Sequence, residues 1–324
     1  NKGISDALQV SYSLLGDMMA GKKKYDSALH NYRLAMYWLL NDNAEYRRRE
    51  TGKLLNSLGK VFEEKKQSDS ALRFYHQALY SVADVDTGDI FSLPDEKNIY
   101  AENTIMESLD NMAACIIKKA AAFNQNQLAQ AIKCWQLAAH TERILLQKFS
   151  YDESKVAMLQ SSRMRSEQAI NACYLLYQLT KDNKWVSAAF DFAEKNKAFI
   201  LLESARRNTA ARLLQNDSLF RNIQNLQLEY ATLEKTKITA ALINDSVLLK
   251  QETVQLAEKE KTEVNDNDKL RQSNTAYNTW MQQENNIDLN NVTEFAKKTN
   301  TGFIEYFTGD SSVFSFSTSP TGQL

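Results

Sequence analysis

The sequence predicts an all-α chain assembled from repeated antiparallel helix pairs, and three observations carry that expectation. No glycine occurs between Gly88 and Gly302, and no proline between Pro94 and Pro320. Strands and hairpins need such residues in their turns, so a span this long without them points to helix. Ala, Leu, Gln, Glu and Lys, the strong helix formers, fill it instead. The third observation is a helix-spaced motif that recurs through residues 12–138.

The motif is clearest in its first two copies. Tyr12-x-x-Leu15-Gly16-x-x-Met19 is followed by Ala28-x-x-x-Tyr32-x-x-Ala35. The second copy reads Leu55-x-x-Leu58-Gly59-x-x-Phe62, then Ala71-x-x-x-Tyr75-x-x-Ala78. Asp26-Ser27-Ala28-Leu29 and Asp69-Ser70-Ala71-Leu72 open the second helices, and the aspartates are expected to act as N-caps. Leu-Gly sets a large side chain beside a position with none, where the partner helix can approach closely. Alanine, an aromatic four residues on and alanine three further share one helix face. One such pair leaves an apolar face open, so pairs must stack.

This pattern resembles the tetratricopeptide repeat, and the resemblance implies a right-handed superhelix of antiparallel helix pairs. The copies stand 43 residues apart here, against the usual 34, so longer helices are expected. A third copy runs from Leu109-x-x-Met112-Ala113-x-x-Ile116 to Ala131-x-x-x-Trp135-x-x-Ala138, with Phe123–Gln127 as a longer turn. A weaker fourth runs from Ala169-x-x-Ala172 to Ala188-x-x-x-Phe192. The stretch from Asp84 to Asp95, holding Gly88 and Pro94, is the one substantial loop expected between helices. Repeats are assigned to residues 1–205, the last helix continuing past Ala205.

Residues 206–286 are expected to form a long helical hairpin. Asn216-Asp217-Ser218 and Asn244-Asp245-Ser246 are N-cap clusters. Leu219, Ile223, Leu226, Tyr230 and Leu233 then follow a coiled-coil spacing. Leu249, Thr253 and Leu256 are the expected apolar positions of the second helix, before a charged stretch from Glu258 to Lys269 that reads as solvated.

Residues 287–324 change character. Phe303–Phe307 and Ser312–Ser317 are rich in β-branched and aromatic residues, and Thr308-Gly309-Asp310-Ser311 separates them as a turn. A lone two-stranded hairpin is marginal in water and needs more strands or a covering helix. The order of Ala193–Glu203, the helical insert, Asp288–Val292 and Phe303-Ile304-Glu305-Tyr306-Phe307-Thr308-Gly309-Asp310 resembles bacterial CHAT-domain proteins. That family sets tetratricopeptide repeats ahead of a caspase- and separase-like cysteine peptidase domain. The resemblance implies that residues 287–324 open such an α/β domain, with the His–Cys pair farther downstream. No His follows His140 and no Cys follows Cys173, so no catalytic residues are assigned within this chain.

The function expected is therefore a scaffold that recognises a protein or peptide and regulates an attached CHAT domain. A sensory repeat module with a kinase or DNA-binding output is the alternative. Candidate groove residues lie on the first helices: Ser13, Asp17, Asn56, Lys60, Glu63, Glu107 and Asp110. Lys plus Arg number 39 against 40 for Asp plus Glu, leaving no field to attract nucleic acid. No apolar run is long enough for a transmembrane span. Cys115, Cys134 and Cys173 read as buried free thiols, and the histidines lack metal-ligand spacing. Neither metal nor cofactor is expected. The sequence starts mid-domain at Asn1, so a signal peptide could lie upstream; export is left open, with the cytoplasm slightly favoured as the compartment.

Overall fold

The computed structural model describes residues 2–40, 48–83, 85, 88–119, 124–146, 152–195, 209, 212–243, 245–275 and 289–321. The architecture is all-α with one small two-stranded sheet. Eleven α-helices occur among the described residues. The chain divides into two compact units, residues 1–148, 158–196 and 288–324 against residues 149–157 and 197–287.

The first unit begins with successive helix pairs: α1 (Lys2–Gly21) with α2 (Tyr25–Leu40), α3 (Arg48–Glu64) with α4 (Ser68–Val82), and α5 (Asn103–Lys119) with α6 (Gln125–Leu146). α7 (Asp152–Thr180) and α8 (Lys184–Lys195) follow. The repeat's glycines explain the pairing. A Cβ on Gly16 would stand 2.5 Å from the Tyr32 ring, and one on Gly59 would stand 2.5 Å from the Tyr75 ring. Each tyrosine ring occupies the space where the partner helix has no side chain, and both are buried with the alanines around them. Ala113, buried against the Trp135 core, takes the glycine's place in the third pair.

The turns repeat as well. Lys23 and Lys66 adopt left-handed backbone at φ 57° and 60°. Around them Lys24 N–H bonds to Met19 O and Gln67 N–H to Phe62 O, at 2.9 Å each, the Schellman arrangement that normally carries glycine. This displaces Asp26 and Asp69 from the capping role expected of them. Both lie inside the first turn, and the N-cap of α4 is Gln67, whose side chain makes no capping bond. The third turn differs from its reading too, since Asn124 accepts from Asn126 N–H at 2.9 Å and α6 already begins at Gln125. Phe123 lies outside the described residues, as does the continuation of the last repeat helix past 195.

The strands β1 (Phe303–Thr308) and β2 (Val313–Thr318) form the hairpin, and α11 (Leu289–Thr299) with the helices of this unit supplies the cover that a bare hairpin lacks. The strands pair antiparallel from Phe303 opposite Thr318 to Thr308 opposite Val313. Phe307 is buried in the core shared by α4–α8. Phe316 meets Phe190 of α8 edge-on at 5.6 Å between centroids, beside Leu289 and Val292 of α11.

The second unit contains an antiparallel pair, α9 (Ser218–Leu242) and α10 (Ser246–Ser273). Asp217 caps α9 through Leu219 N–H at 2.8 Å, and Asp245 caps α10 through Leu248 N–H at 3.0 Å. Ile223 is buried and Leu219, Leu226, Tyr230 and Leu233 half-buried, as the coiled-coil spacing predicts. Thr253, however, is exposed and bonds back to Leu249 O. The inward line of α10 instead runs Leu249, Glu252, Leu256, Lys259, Glu263, Asp266 and Leu270, none of them exposed. The charged stretch is thus part of the seam. Its partners on α9 run in reverse order: Asn222 to Asp266 at 2.6 Å, Gln227 to Glu263 at 2.9 Å, and Glu229 to Lys259. Among the described residues, no helix is long and apolar enough to cross a membrane.

Candidate interaction surface

The first helices of successive pairs are neighbours, α1 beside α3 and α3 beside α5. They carry all seven expected partner-binding residues, and nearly all of these already hold a partner within the chain. Ser13 is half-buried on α1. Asp17 accepts a 2.7 Å hydrogen bond from the Tyr32 hydroxyl. Glu63 plays the matching part in the second pair, accepting from the Tyr75 hydroxyl at 2.7 Å and pairing with Lys118 of α5. Burial foremost, and the carboxylate it meets, push both phenols above their ordinary range.

Three more of the candidates, like Glu63, join α3 to α5. Lys60 and Glu107 form a 2.6 Å ion pair across the two helices, half in solvent. Asn56 donates to the Ser108 hydroxyl at 3.1 Å. With 1% of its surface exposed, Asn56 has nothing to offer a ligand, so its place is in the packing and not in an accessible groove. Buried polar groups are retained where each finds a partner, and here the two meet each other.

Asp110 belongs to a buried charge cluster. Arg165 of α7 grips it with two 2.7 Å bonds, Nε to Oδ1 and Nη2 to Oδ2. The third nitrogen, Nη1, reaches Glu142 Oε2 of α6 at 3.0 Å, which also accepts from Ser162 at 2.6 Å. The Arg165 and Glu142 side chains are each 4% exposed. Burial raises the Glu142 carboxyl above its ordinary range although Arg165 and Ser162 oppose it. One guanidinium thereby ties α5, α6 and α7 together, and such a grouping is costly to break because an uncompensated charge stays behind.

Two further polar contacts repeat from pair to pair. Lys65, at the end of α3, reaches Asp26 at the start of α2 at 2.7 Å, and Lys119, at the end of α5, reaches Asp69 at the start of α4. Hydrogen bonding and charge from these lysines hold both carboxyls below their ordinary range.

Glu167 of α7 holds the tip of the β-hairpin. Its carboxylate accepts from Asp310 N–H at 2.7 Å, Ser311 N–H at 3.0 Å and the Ser311 hydroxyl at 2.7 Å. Arg163 donates to the Thr308 and Gly309 carbonyls beside it. A Cβ on Gly309 would lie 2.3 Å from the carboxyl carbon of Glu167, so a larger residue there would push the carboxylate out of this position. Burial alone would raise the Glu167 carboxyl, but these hydrogen bonds hold it below its ordinary range.

Arg165, Glu142, Ser108, Lys118 and Glu167 were not legible in the sequence. The contacts they make span 20 to 144 positions, and only the stacking of helices brings them together. The three cysteines are free and buried. Burial pushes the Cys115 thiol up to about 11 and the Cys134 thiol up to about 12, and raises that of Cys173 further. Among the described residues no group of three or more His, Cys, Asp or Glu is placed to hold a metal ion. Compared with models of known protein families, with curated proteins and with solved structures, the chain matches none.

Proposed function

We propose that this chain is a protein-interaction scaffold of tetratricopeptide-like helix pairs, stacked as a right-handed superhelix, that recognises a protein or peptide partner and regulates an attached CHAT-type cysteine peptidase. The observation that carries the reading is the shared geometry of its pairs. Gly16 against Tyr32 and Gly59 against Tyr75 make the same close approach, and the same left-handed lysine closes each turn. Units that repeat their contacts and stack on one another present a continuous row of first helices, the usual recognition surface of such arrays.

Two further observations support the regulatory part. Glu167 and Arg163 tie α7 to the strand–turn–strand that resembles the opening of a CHAT domain, so a strain in the helices reaches that strand directly. The buried, high-pKa thiols are poor nucleophiles, because the thiolate is the reactive form. Catalysis is accordingly assigned to a domain beyond these helices and not to Cys115, Cys134 or Cys173.

Exchanging the ends of the α3–α5 ion pair, with Lys60→Glu and Glu107→Lys, tests the surface without breaking the pair. Affinity capture on the variant is expected to lose the partner recovered by the parent protein. Unchanged recovery would remove α3 from the recognition surface. A fluorogenic peptide turned over by residues 1–324, with turnover abolished by Cys173→Ala, would overturn the assignment of catalysis elsewhere.

A further inference from the structure

The second helices of the repeat carry the same outer stripe, covered on α6 and open on α4. With the motif alanines Ala71 and Ala131 as the register, Ser70, Arg73 and Tyr80 of α4 correspond to Gln130, Lys133 and His140 of α6. Spacings of three and seven keep each set on one helix face. In both sets the first side chain is a polar donor, the second is basic, and the third is a ring that carries a donor group. On α4 this face is bare: Arg73 is exposed, and Tyr80 is 52% exposed.

On α6 the cover comes from the segment that joins α4 to α5. Gln130 Nε2 donates to Phe91 O at 2.6 Å, and His140 Nδ1 lies 2.9 Å from Glu96 Oε1. From Gln130 to His140 the helix rises about 15 Å, a distance that the chain from Phe91 to Glu96 covers when extended. The segment therefore runs lengthwise along α6. It is acidic and apolar at once. Asp89, Asp95 and Glu96 alternate with Ile90, Phe91 and Leu93, and these last three are half-buried against the core that α4, α5 and α6 share.

The cover on α6 is thus an extended segment and not a helix of an adjoining pair, so the stacking of pairs leaves this face open. α4 shows this inside the array. α3 and α5 both pack against it, and its outer face is still uncovered. Beyond its first turn α4 has no acidic residue, and Asp69 within that turn is held by Lys119. The face presents a hydroxyl, a guanidinium and a phenol, all donors, with no carboxylate among them.

We infer that the outer face of α4 docks an extended acidic segment of a protein partner, of the same chemistry as Asp89–Glu96. A main-chain carbonyl of the segment accepts from Ser70, and a carboxylate pairs with Arg73. A second carboxylate accepts from the Tyr80 hydroxyl, as Asp17 and Glu63 accept from Tyr32 and Tyr75. The inference shares with the scaffold reading the idea that the chain binds proteins, but it concerns a different surface.

The probe is a fluorescein-labelled synthetic peptide of residues 89–96, titrated into the intact chain and followed by anisotropy. Saturable binding is expected. Tyr80→Phe should weaken it by about twofold to fivefold, and Arg73→Glu with Tyr80→Phe by about tenfold or more. A peptide carrying Asp89→Asn, Asp95→Asn and Glu96→Gln should bind the parent chain about tenfold more weakly or worse. Lys133→Glu should leave the affinity unchanged, since the matching face of α6 is already occupied. Lys60→Glu with Glu107→Lys should also leave it unchanged, which separates a failure here from a failure of the α3 surface. Absence of saturable binding, binding that the α4 variants do not alter, or binding lost with Lys133→Glu overturns the inference. So does a labelled single-stranded oligonucleotide that binds more tightly than the peptide and is released by Arg73→Glu, since the face would then belong to nucleic acid.

Discussion

The helix pairs of the first unit and the hairpin of the second solve the same packing problem with different materials. In the pairs, the close contacts are apolar or aromatic: Tyr32 on Gly16, Tyr75 on Gly59, and Trp135 among alanines. In the hairpin, four of the seven inward positions of α10 are Glu252, Lys259, Glu263 and Asp266. The former arrangement is stabilised by area removed from water. The latter depends on each buried polar group finding a partner, and the Glu252 Oε2 atom has none among the described residues. The pairs should therefore be the stable part of the molecule, and the α9–α10 hairpin the part that opens first.

Substitutions that sharpen this contrast fall in order of size. Trp135 is fully buried, so Trp135→Ala should cost the first unit about 3–5 kcal/mol. Arg165→Ala should cost a similar amount, about 3–5 kcal/mol, by leaving the Asp110 and Glu142 carboxylates unpaired. Chemical denaturation of both variants measures the effects, and an Arg165 variant as stable as the parent would reduce that cluster to decoration. In the hairpin the sign reverses. Glu252→Leu should stabilise it by about 1–3 kcal/mol by removing a buried acceptor without a partner. Slower amide exchange confined to residues 246–273 is the expected signature.

A smaller effect discriminates packing from helix propensity. On an open helix surface Gly→Ala gains about 1 kcal/mol. At Gly59 the added methyl would press into the Tyr75 ring at 2.5 Å, so Gly59→Ala should instead destabilise, by about 1–2 kcal/mol. A stabilised variant would mean that the Gly–Tyr approach is not what sets the pair.

The smallest effect is a pH dependence. Glu167 has a folded pKa held below its ordinary value of 4.5, so the folded state binds this proton less readily than the unfolded one. Its contribution is present above pH 4.5 and is lost as the pH falls below that value through the depressed folded pKa. The difference in melting temperature between the parent and Glu167→Gln should be constant near neutrality and shrink in acid. A difference that grew in acid would contradict the hydrogen bonds drawn to Asp310 and Ser311.

The helical class, the pairing and the β-hairpin were legible because each rests on local spacing: Ala28 to Tyr32, Ala71 to Tyr75, and aromatic residues either side of Gly309. The capping clusters at Asp217 and Asp245 were legible for the same reason. Asp26 and Asp69 do not cap because a left-handed lysine, which composition does not announce, starts each helix two residues earlier than a capping aspartate would. The inward line of α10 was lost beyond Leu256 because Lys259, Glu263 and Asp266 look solvated until α9 is laid beside them. The candidate surface suffered most. Lys60, Glu63, Asn56 and Asp110 read as polar residues offset from the core, and their partners Glu107, Lys118, Ser108 and Arg165 become visible only when neighbouring pairs stack.

That double life of the polar residues defines the decisive measurement. Exchanging the ends of one cross-helix pair, Lys60→Glu with Glu107→Lys, keeps the ion pair between α3 and α5 and reverses the charge that a partner meets. The scaffold account predicts an unchanged melting temperature together with loss of the protein recovered by affinity capture on the parent chain. Undiminished recovery by the exchanged variant, at equal stability, would contradict it.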